Sequence, residues 1–376
     1  MAGIYVHIPF CKQSCYYCNF HFSTSDKKRG EVLNAIEYEI AQKARLSHEK
    51  ISTIYFGGGT PSILDVKQIN SIINKIHQEF KVEENAEITL EANPDDLKIN
   101  KVIDLSKTKI NRLSIGVQSF IDRELKAMNR AHDSKKAMKS LELSKKYFDN
   151  ISIDLIYGVP DSTLETWAYN LEVTMGFDVN HVSTYALTIE PKTALESFVR
   201  KLIVDMPKEG LIYKQYNLIN EKLEPRGFIN YEVCSFAKEN FFSKNNSAYW
   251  LRKKYIGIGP SAHSFDGKSR SWNISNNKKY VEHINDGRSY HKREELTTID
   301  QYNEYVMTGF RTIWGVSTEF LETNFNLKFK HYFIEKIQKH IDQKNIVLND
   351  NVYTTTNKGR FLADGIASDL FLLNLK

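Results

Sequence analysis

Three of the chain's four cysteines fall within eight residues, in the stretch YVHIPFCKQSCYYCNFHF that begins at Tyr5. Cys11, Cys15 and Cys18 are spaced C-x3-C-x2-C. Thiolates bind soft metals. A structural zinc site takes four ligands, so a fourth donor would have to come from His7, His21 or Cys234. A [4Fe-4S] cluster also commonly takes four thiolates. Held by three, it keeps one iron open to an outside ligand. S-adenosylmethionine (SAM) has an amino group and a carboxylate that chelate such an iron, and one electron from the reduced cluster cleaves its sulfonium to leave a carbon radical. The protein's share of that chemistry is positioning, tuning and exclusion of solvent. The spacing, directly after a strand-like run, favours the cluster over zinc.

Other residues have types that suit the same cofactor. Tyr17 immediately precedes the last thiol, where a ring could flank an adenine. GGGTP, from Gly57 to Pro61, lets backbone approach a ligand closely, through Gly58, Gly59 and Thr60. It is neither a dinucleotide fingerprint nor a P-loop, and it reads as a contact for the methionyl ammonium. Glu91 and Gln118 lie at strand-like ends. Arg130 offers a fork for a carboxylate. Asp154 interrupts the apolar run SIDLIY, and a carboxylate there needs a partner. Taken singly, each also has an ordinary reading as a cap, a turn or a surface pair.

The elements that must position these residues are legible. Residues 3–8, 51–56, 87–92, 112–117, 150–157 and 181–187 read as strands. Between them lie segments such as RGEVLNAIEYEIAQKARL and SILDVKQINSIINKIHQEF, whose apolar residues recur every three to four positions. This alternation predicts an α/β fold with a parallel sheet, curled as a partial (β/α)6 barrel in preference to an open doubly wound sheet. The candidate residues follow the strands, so they converge on the carboxyl rim where such folds bind ligands. The rhythm changes after about residue 205. We therefore expect a barrel over 1–205, a connecting region packed on the barrel over 206–295, and a smaller C-terminal α+β domain over 296–376. In the last, a helix, a hairpin turning at LNDNV and a helix opened by TNKG resemble a winged-helix unit.

Composition narrows the class. The net charge of +5 comes from 51 basic and 46 acidic residues, too even a balance to predict nucleic-acid binding. Clustered cysteines fit a reducing compartment better than a disulfide framework. There is no eighteen-residue apolar run and no basic leader with an apolar core, so a cytoplasmic location is expected, with peripheral membrane contact left open.

YVHIPFCKQSCYYC, FGGGTPS, LEANPDD, SIGVQSF, MNRAH and DLIYGVP together resemble the radical SAM enzymes related to oxygen-independent coproporphyrinogen III oxidase, the HemN-like family. The resemblance spans nearly the whole chain and implies a partial (β/α)6 barrel. It implies that Cys11, Cys15 and Cys18 hold the cluster. It places Tyr5, Gly58, Gly59, Thr60, Glu91, Gln118, Arg130, Asp154 and the region of Ala186 around SAM. Two departures point to the heme-chaperone branch. Phe20 stands where the oxidases have a further cysteine, and only three or four residues precede YVHIP. That branch implies heme as a ligand, delivery to acceptor proteins such as respiratory enzymes, an electron donor for the cluster, and room for a dimer. Its His-Asn-x-x-Tyr-Trp motif appears here as Asn245, Asn246, Tyr249 and Trp250, without the histidine. His263, His21 and Cys234 remain as candidate heme ligands. Tyr249 and Trp250 fit either porphyrin stacking or packing between domains.

Overall fold

The computed structural model describes residues 1–373; residues 374–376, the end of the expected C-terminal unit, lie outside them. The N-terminal half alternates as expected. β1 (Ala2–Ile8), α1 (Arg29–Arg45), β2 (Ile51–Gly58), α2 (Val66–Glu79), β3 (Val82–Ala92), α3 (Ile99–Ser106) and β4 (Arg112–Gln118) come first. Then follow α4 (Asp122–Ala127), α5 (Ser134–Ser144), β5 (Ile151–Tyr157), α6 (Leu164–Gly176) and β6 (His181–Ala186). The helices form where apolar spacing recurs, and some are capped as well. α2 buries Ile69, Ile72, Ile73 and Ile76 in one stripe, and Asp65 with Gln68 closes its N-terminus as a capping box.

The strands β1 to β6 lie side by side in chain order and pair in parallel. Sequential order decides for a curled sheet over a doubly wound one. Right-handed crossovers that never reverse place every helix on one face, so the sheet curls with the other face inward. The sheet stays open. α7 (Ala194–Arg200) and α8 (Glu209–Leu223) lead to β7 (Ile229–Glu232) and β8 (Ser235–Ala237), which extend it antiparallel beyond β6. α9 (Lys244–Trp250) precedes β9 (Tyr255–Ile258), which pairs in parallel with β1. β10 (His263–Phe265), β11 (Ser269–Asn273), α10 (Asn277–Asn285) and β12 (His291–Glu295) complete the other edge. The result is one twelve-stranded sheet.

Alternation along the strands divides the two faces. Ile4, Val6 and Ile8, Ile54 and Phe56, Ile88 and Leu90, Leu113 and Ile115, and Ile153 and Leu155 join the helices in one continuous core. Their neighbours Tyr5, Tyr55, Glu91, Ser114 and Asp154 point to the inner face.

The chain ends in α11 (Thr298–Phe310), β13 (Val316–Ser317), α12 (Thr318–Phe325), α13 (Leu327–Asp342), β14 (Ile346–Asn349), β15 (Val352–Thr355), α14 (Asn357–Phe361) and α15 (Ala363–Asp369). Tyr302, Val306, Phe310, Leu321, Phe333, Ile337 and Ile366 form a second core. The β14–β15 hairpin turns through Asp350 and Asn351, both at positive φ (45° and 67°), as a tight two-residue turn demands. The Thr356 hydroxyl caps α14 by accepting from the Gly359 N–H.

Candidate functional site

The loop between β1 and α1 carries the three cysteines, and neighbouring loops clamp it. Cys11 N–H donates to the Ser23 carbonyl, and Ser23 N–H returns to that of Pro9. Lys12 bridges Asp95 (2.7 Å) and Asp96 after β3. The Gln13 amide donates to Asn129 Oδ1 (2.7 Å), while Asn129 Nδ2 donates to the Ser14 carbonyl (2.7 Å). Asn19 Nδ2 donates to Glu190 beyond β6 (2.8 Å). The loop therefore takes its shape from three other strand ends.

The three thiols are unpaired and line one cavity of about 430 Å³. The same cavity wall includes Tyr17, Gly58, Gly59, Thr60, Glu91, Gln118, Arg130, Asp154 and Ala186. Tyr5 stands apart from it: its ring stacks on Tyr55 (centroids 6.2 Å apart) and its hydroxyl meets His7 Nδ1 (3.2 Å).

Each position has a local cause. Gly58 lies at φ 110°, and a Cβ there would be 2.5 Å from the His7 ring. Gln118 holds φ 67° at an irregularity in the β4–β5 pairing, an uncommon conformation for a residue with a side chain. Arg130 is half-buried. It donates to Cys15 Sγ (3.4 Å), Tyr17 Oη (3.4 Å), Asn93 Oδ1 (2.7 Å) and the Gly116 carbonyl (2.9 Å), and its Nε has no partner. Thr60 Oγ1 donates to Cys11 Sγ (3.3 Å). Asp154 finds its partners in Ser114 (2.9 Å) and Ser152 (3.0 Å).

Burial shifts several acids of this cavity toward their neutral forms. Burial pushes the Cys11 thiol up to about 11, against the lowering effect of Thr60. Burial also pushes Glu91 up to about 7, opposed by the Tyr55 hydroxyl (2.8 Å) and raised further by Asp154. Asp154 is raised by burial and held back by its serines. The donor set fits a cluster with one open iron. Three thiols free of disulfides share a wall, two accept hydrogen bonds, and a cation adjoins them. Metal binding there must release thiol protons. Carboxylates of Glu91 and Asp154 deeper in the cavity fit a cationic ligand with hydroxyls.

Over 97% of its length this chain is 32% identical to the heme chaperone HemW of Bacillus subtilis, covering 98% of that protein. The chain belongs to the HemW family. HemW of Lactococcus lactis is also 32% identical, over 98% of this chain and 97% of its own. Residues 5–172 match the radical SAM superfamily and residues 296–362 the HemN C-terminal domain. The solved structure of coproporphyrinogen III oxidase (HemN) from Escherichia coli superposes with a TM-score of 0.85 at 23% identity, over 98% of this chain and 90% of that one. It shows a shared fold.

For a HemW-family chain, sequence reasoning left out several cavity residues. Asn93, Ser114, Tyr185 and Glu190 also line the wall. Asn93 was within reach of inspection, since it opens NPDD after a strand. Ser114 and Tyr185 needed the phase of the strand relative to the curl. Asn245 is buried, with Oδ1 accepting from Thr53 (3.0 Å) and its backbone N–H donating to Glu87 (3.2 Å). Cys234 is partly buried beside Glu232, and burial and that carboxylate raise its thiol. No helix among the described residues is long and apolar enough to cross a membrane.

Proposed function

We propose that this chain is a heme chaperone that binds heme and passes it to acceptor proteins, and that its barrel holds a [4Fe-4S] cluster on Cys11, Cys15 and Cys18 with SAM beside it. The full-length likeness to proteins named heme chaperones carries the reading. When bound, cluster and SAM supply one-electron chemistry. The chain's own residues do the rest. Thr60 and Arg130 stabilise sulfur charge, Gly58 and Gly59 open the backbone to a ligand, and Tyr17 walls the cavity above Arg130. Glu91 and Asp154 offer carboxylates to a cation, and the serines around Asp154 fix its orientation. We further propose a cytoplasmic setting, respiratory enzymes among the acceptors, an electron donor for the cluster, peripheral membrane contact, and no nucleic-acid partner.

The test is anaerobic reconstitution followed by hemin titration and a porphyrinogen turnover assay on the same sample. Micromolar or tighter hemin binding without protoporphyrinogen is expected. Absence of hemin binding with an intact cluster, or sustained turnover of coproporphyrinogen, overturns the reading.

A pH dependence follows from Glu91. Below about 7 its carboxyl keeps the proton and is neutral; above that it is the carboxylate a cation needs. Tyr55, the Gly58 N–H and Asp154 face it, with the Tyr5 and Tyr249 hydroxyls nearby. A cationic ligand must expel the proton, so SAM affinity is expected to rise with pH through 7, by up to about tenfold per unit below it. Calorimetry between pH 6 and 8 checks this, and Glu91→Gln is expected to weaken binding and flatten the profile.

A further inference from the structure

Resting on the heme-chaperone reading, we infer that His263 is the axial iron ligand of the heme this chain carries, with Trp272 at the porphyrin face and Lys292 at a propionate. The three residues form a row. His263 on β10 pairs across to Trp272 on β11, which pairs across to Lys292 on β12. Directly opposed residues point to the same face of a sheet. That face is the inner one. Ser264, next to His263, accepts from Lys43 on α1 (3.3 Å), and Asn273, next to Trp272, donates to Glu39 on α1 (2.8 Å), so these neighbours face the helices and the row faces away from them. The row therefore continues the cavity-bearing face of the sheet outward to its free edge.

His263 is exposed, and among the described residues its ring makes no hydrogen bond. Its pKa lies below the ordinary histidine value through burial and the nearby Arg270 charge, which favours the neutral, metal-binding form. The Trp272 ring lies 6.2 Å from it, 25° from parallel. An imidazole binds iron in its own plane, so a porphyrin held by His263 would lie across that plane, and Trp272 would offer it an edge-to-face contact, a favoured aromatic arrangement. Lys292 is exposed and has no ion pair among the described residues, whereas Arg270 is committed to Glu304 (2.8 Å).

Cys234 lies between β7 and β8, at the opposite edge of the sheet from the row, and three other histidines are occupied. His7 bonds Tyr5 and the His21 carbonyl, and burial lowers it to about 4. His21 Nε2 meets Asn277 Oδ1 (2.7 Å). Both nitrogens of His181 are taken, by Ser152 (2.8 Å) and Tyr231 (2.8 Å). Asn245 offers a buried amide.

The test uses full-length protein reconstituted with cluster and SAM and titrated with hemin, following the Soret band and the ferric spin state. His263→Ala is expected to weaken hemin binding at least about tenfold, change the spin state, and regain the native band when imidazole is added. Lys292→Glu is expected to weaken binding a few-fold with the band unmoved. If wild type binds hemin and His263→Ala matches it in affinity and spectrum, the ligand assignment falls and the chaperone reading stands. If imidazole restores nothing, or His21→Ala produces the spectral change instead, the assignment also falls. Failure of wild type to bind hemin overturns both.

Discussion

Gly59→Ala is expected to dislodge the cysteine loop and strip most of the cluster from the protein. Gly59 and Thr60 prolong the β1–β2 pairing past the sheet: Gly59 N–H donates to the Ile8 carbonyl (3.0 Å) and Thr60 N–H to that of Phe10 (2.8 Å). A Cβ on Gly59 would lie 2.7 Å from the Phe10 oxygen, 2.9 Å from the Ile8 oxygen and 2.9 Å from the Phe10 nitrogen. All three are backbone atoms, so no rotamer relieves the contact. Phe10 directly precedes Cys11, and Thr60 holds the Cys11 sulfur, so the two segments must separate where the first thiol is placed. Overpacking of this kind costs about 1–3 kcal/mol, readable as a lower urea midpoint of the cluster-free protein. Cluster iron per chain, measured after anaerobic reconstitution, is expected to fall by about tenfold or more, as when supports of metal ligands are lost. Gly30→Ala is the matched control, since a Cβ there would meet nothing within 4 Å and the residue sits in the first turn of α1. Full iron loading of Gly59→Ala would refute the account.

Arg130→Met is expected to separate cluster retention from fold stability. Arg130 is half-buried with its Nε shielded from solvent, and its four hydrogen bonds go to a thiol, a phenol, an amide oxygen and a backbone carbonyl, none of them a carboxylate. Without a cluster it is a desolvated cation lacking a full counter-charge, and burial of that kind opposes folding. Removing it forfeits hydrogen bonds to a charged group but also relieves that cost, so the unfolding free energy of the cluster-free protein, read from urea titration, should change by no more than about 1–2 kcal/mol. With the cluster in place the same change removes the positive charge beside Cys15. Iron retention during gel filtration is expected to drop about tenfold or more, and the reduced cluster's electron paramagnetic resonance signal should respond less to SAM. Arg130→Lys should rescue poorly, because one ammonium cannot span Cys15, Asn93 and Gly116 as a planar fork does. Equal destabilisation with and without the cluster would mean that Arg130 is only a packing residue.

Much was written locally in the sequence. The six parallel strands and the long α1, α2 and α8 follow from period, with a capping box added only at α2, because a strand or an amphipathic helix announces its buried face in its own residues. The cysteine triad, the glycine turn and the β14–β15 hairpin are equally local: spacing, small residues and turn residues with positive φ state their own requirements. What the tertiary structure decided was everything that depends on register across the sheet. Asp154 calls for a partner in any reading, but only the pairing of β4 with β5 supplies Ser114. Arg130 suggests a fork for a ligand carboxylate, yet the fold turns its guanidinium to Asn93, the Gly116 carbonyl and Cys15. Tyr5 stacks on Tyr55 on the inner face, a matter of which residues β1 and β2 set side by side. His263, Trp272 and Lys292 are separated in the chain and align only when β10, β11 and β12 pair. A sequence fixes the chemical type of each side chain and the period of each element; which faces meet is set by long-range pairing, where a shift of one residue turns every side chain to the opposite face.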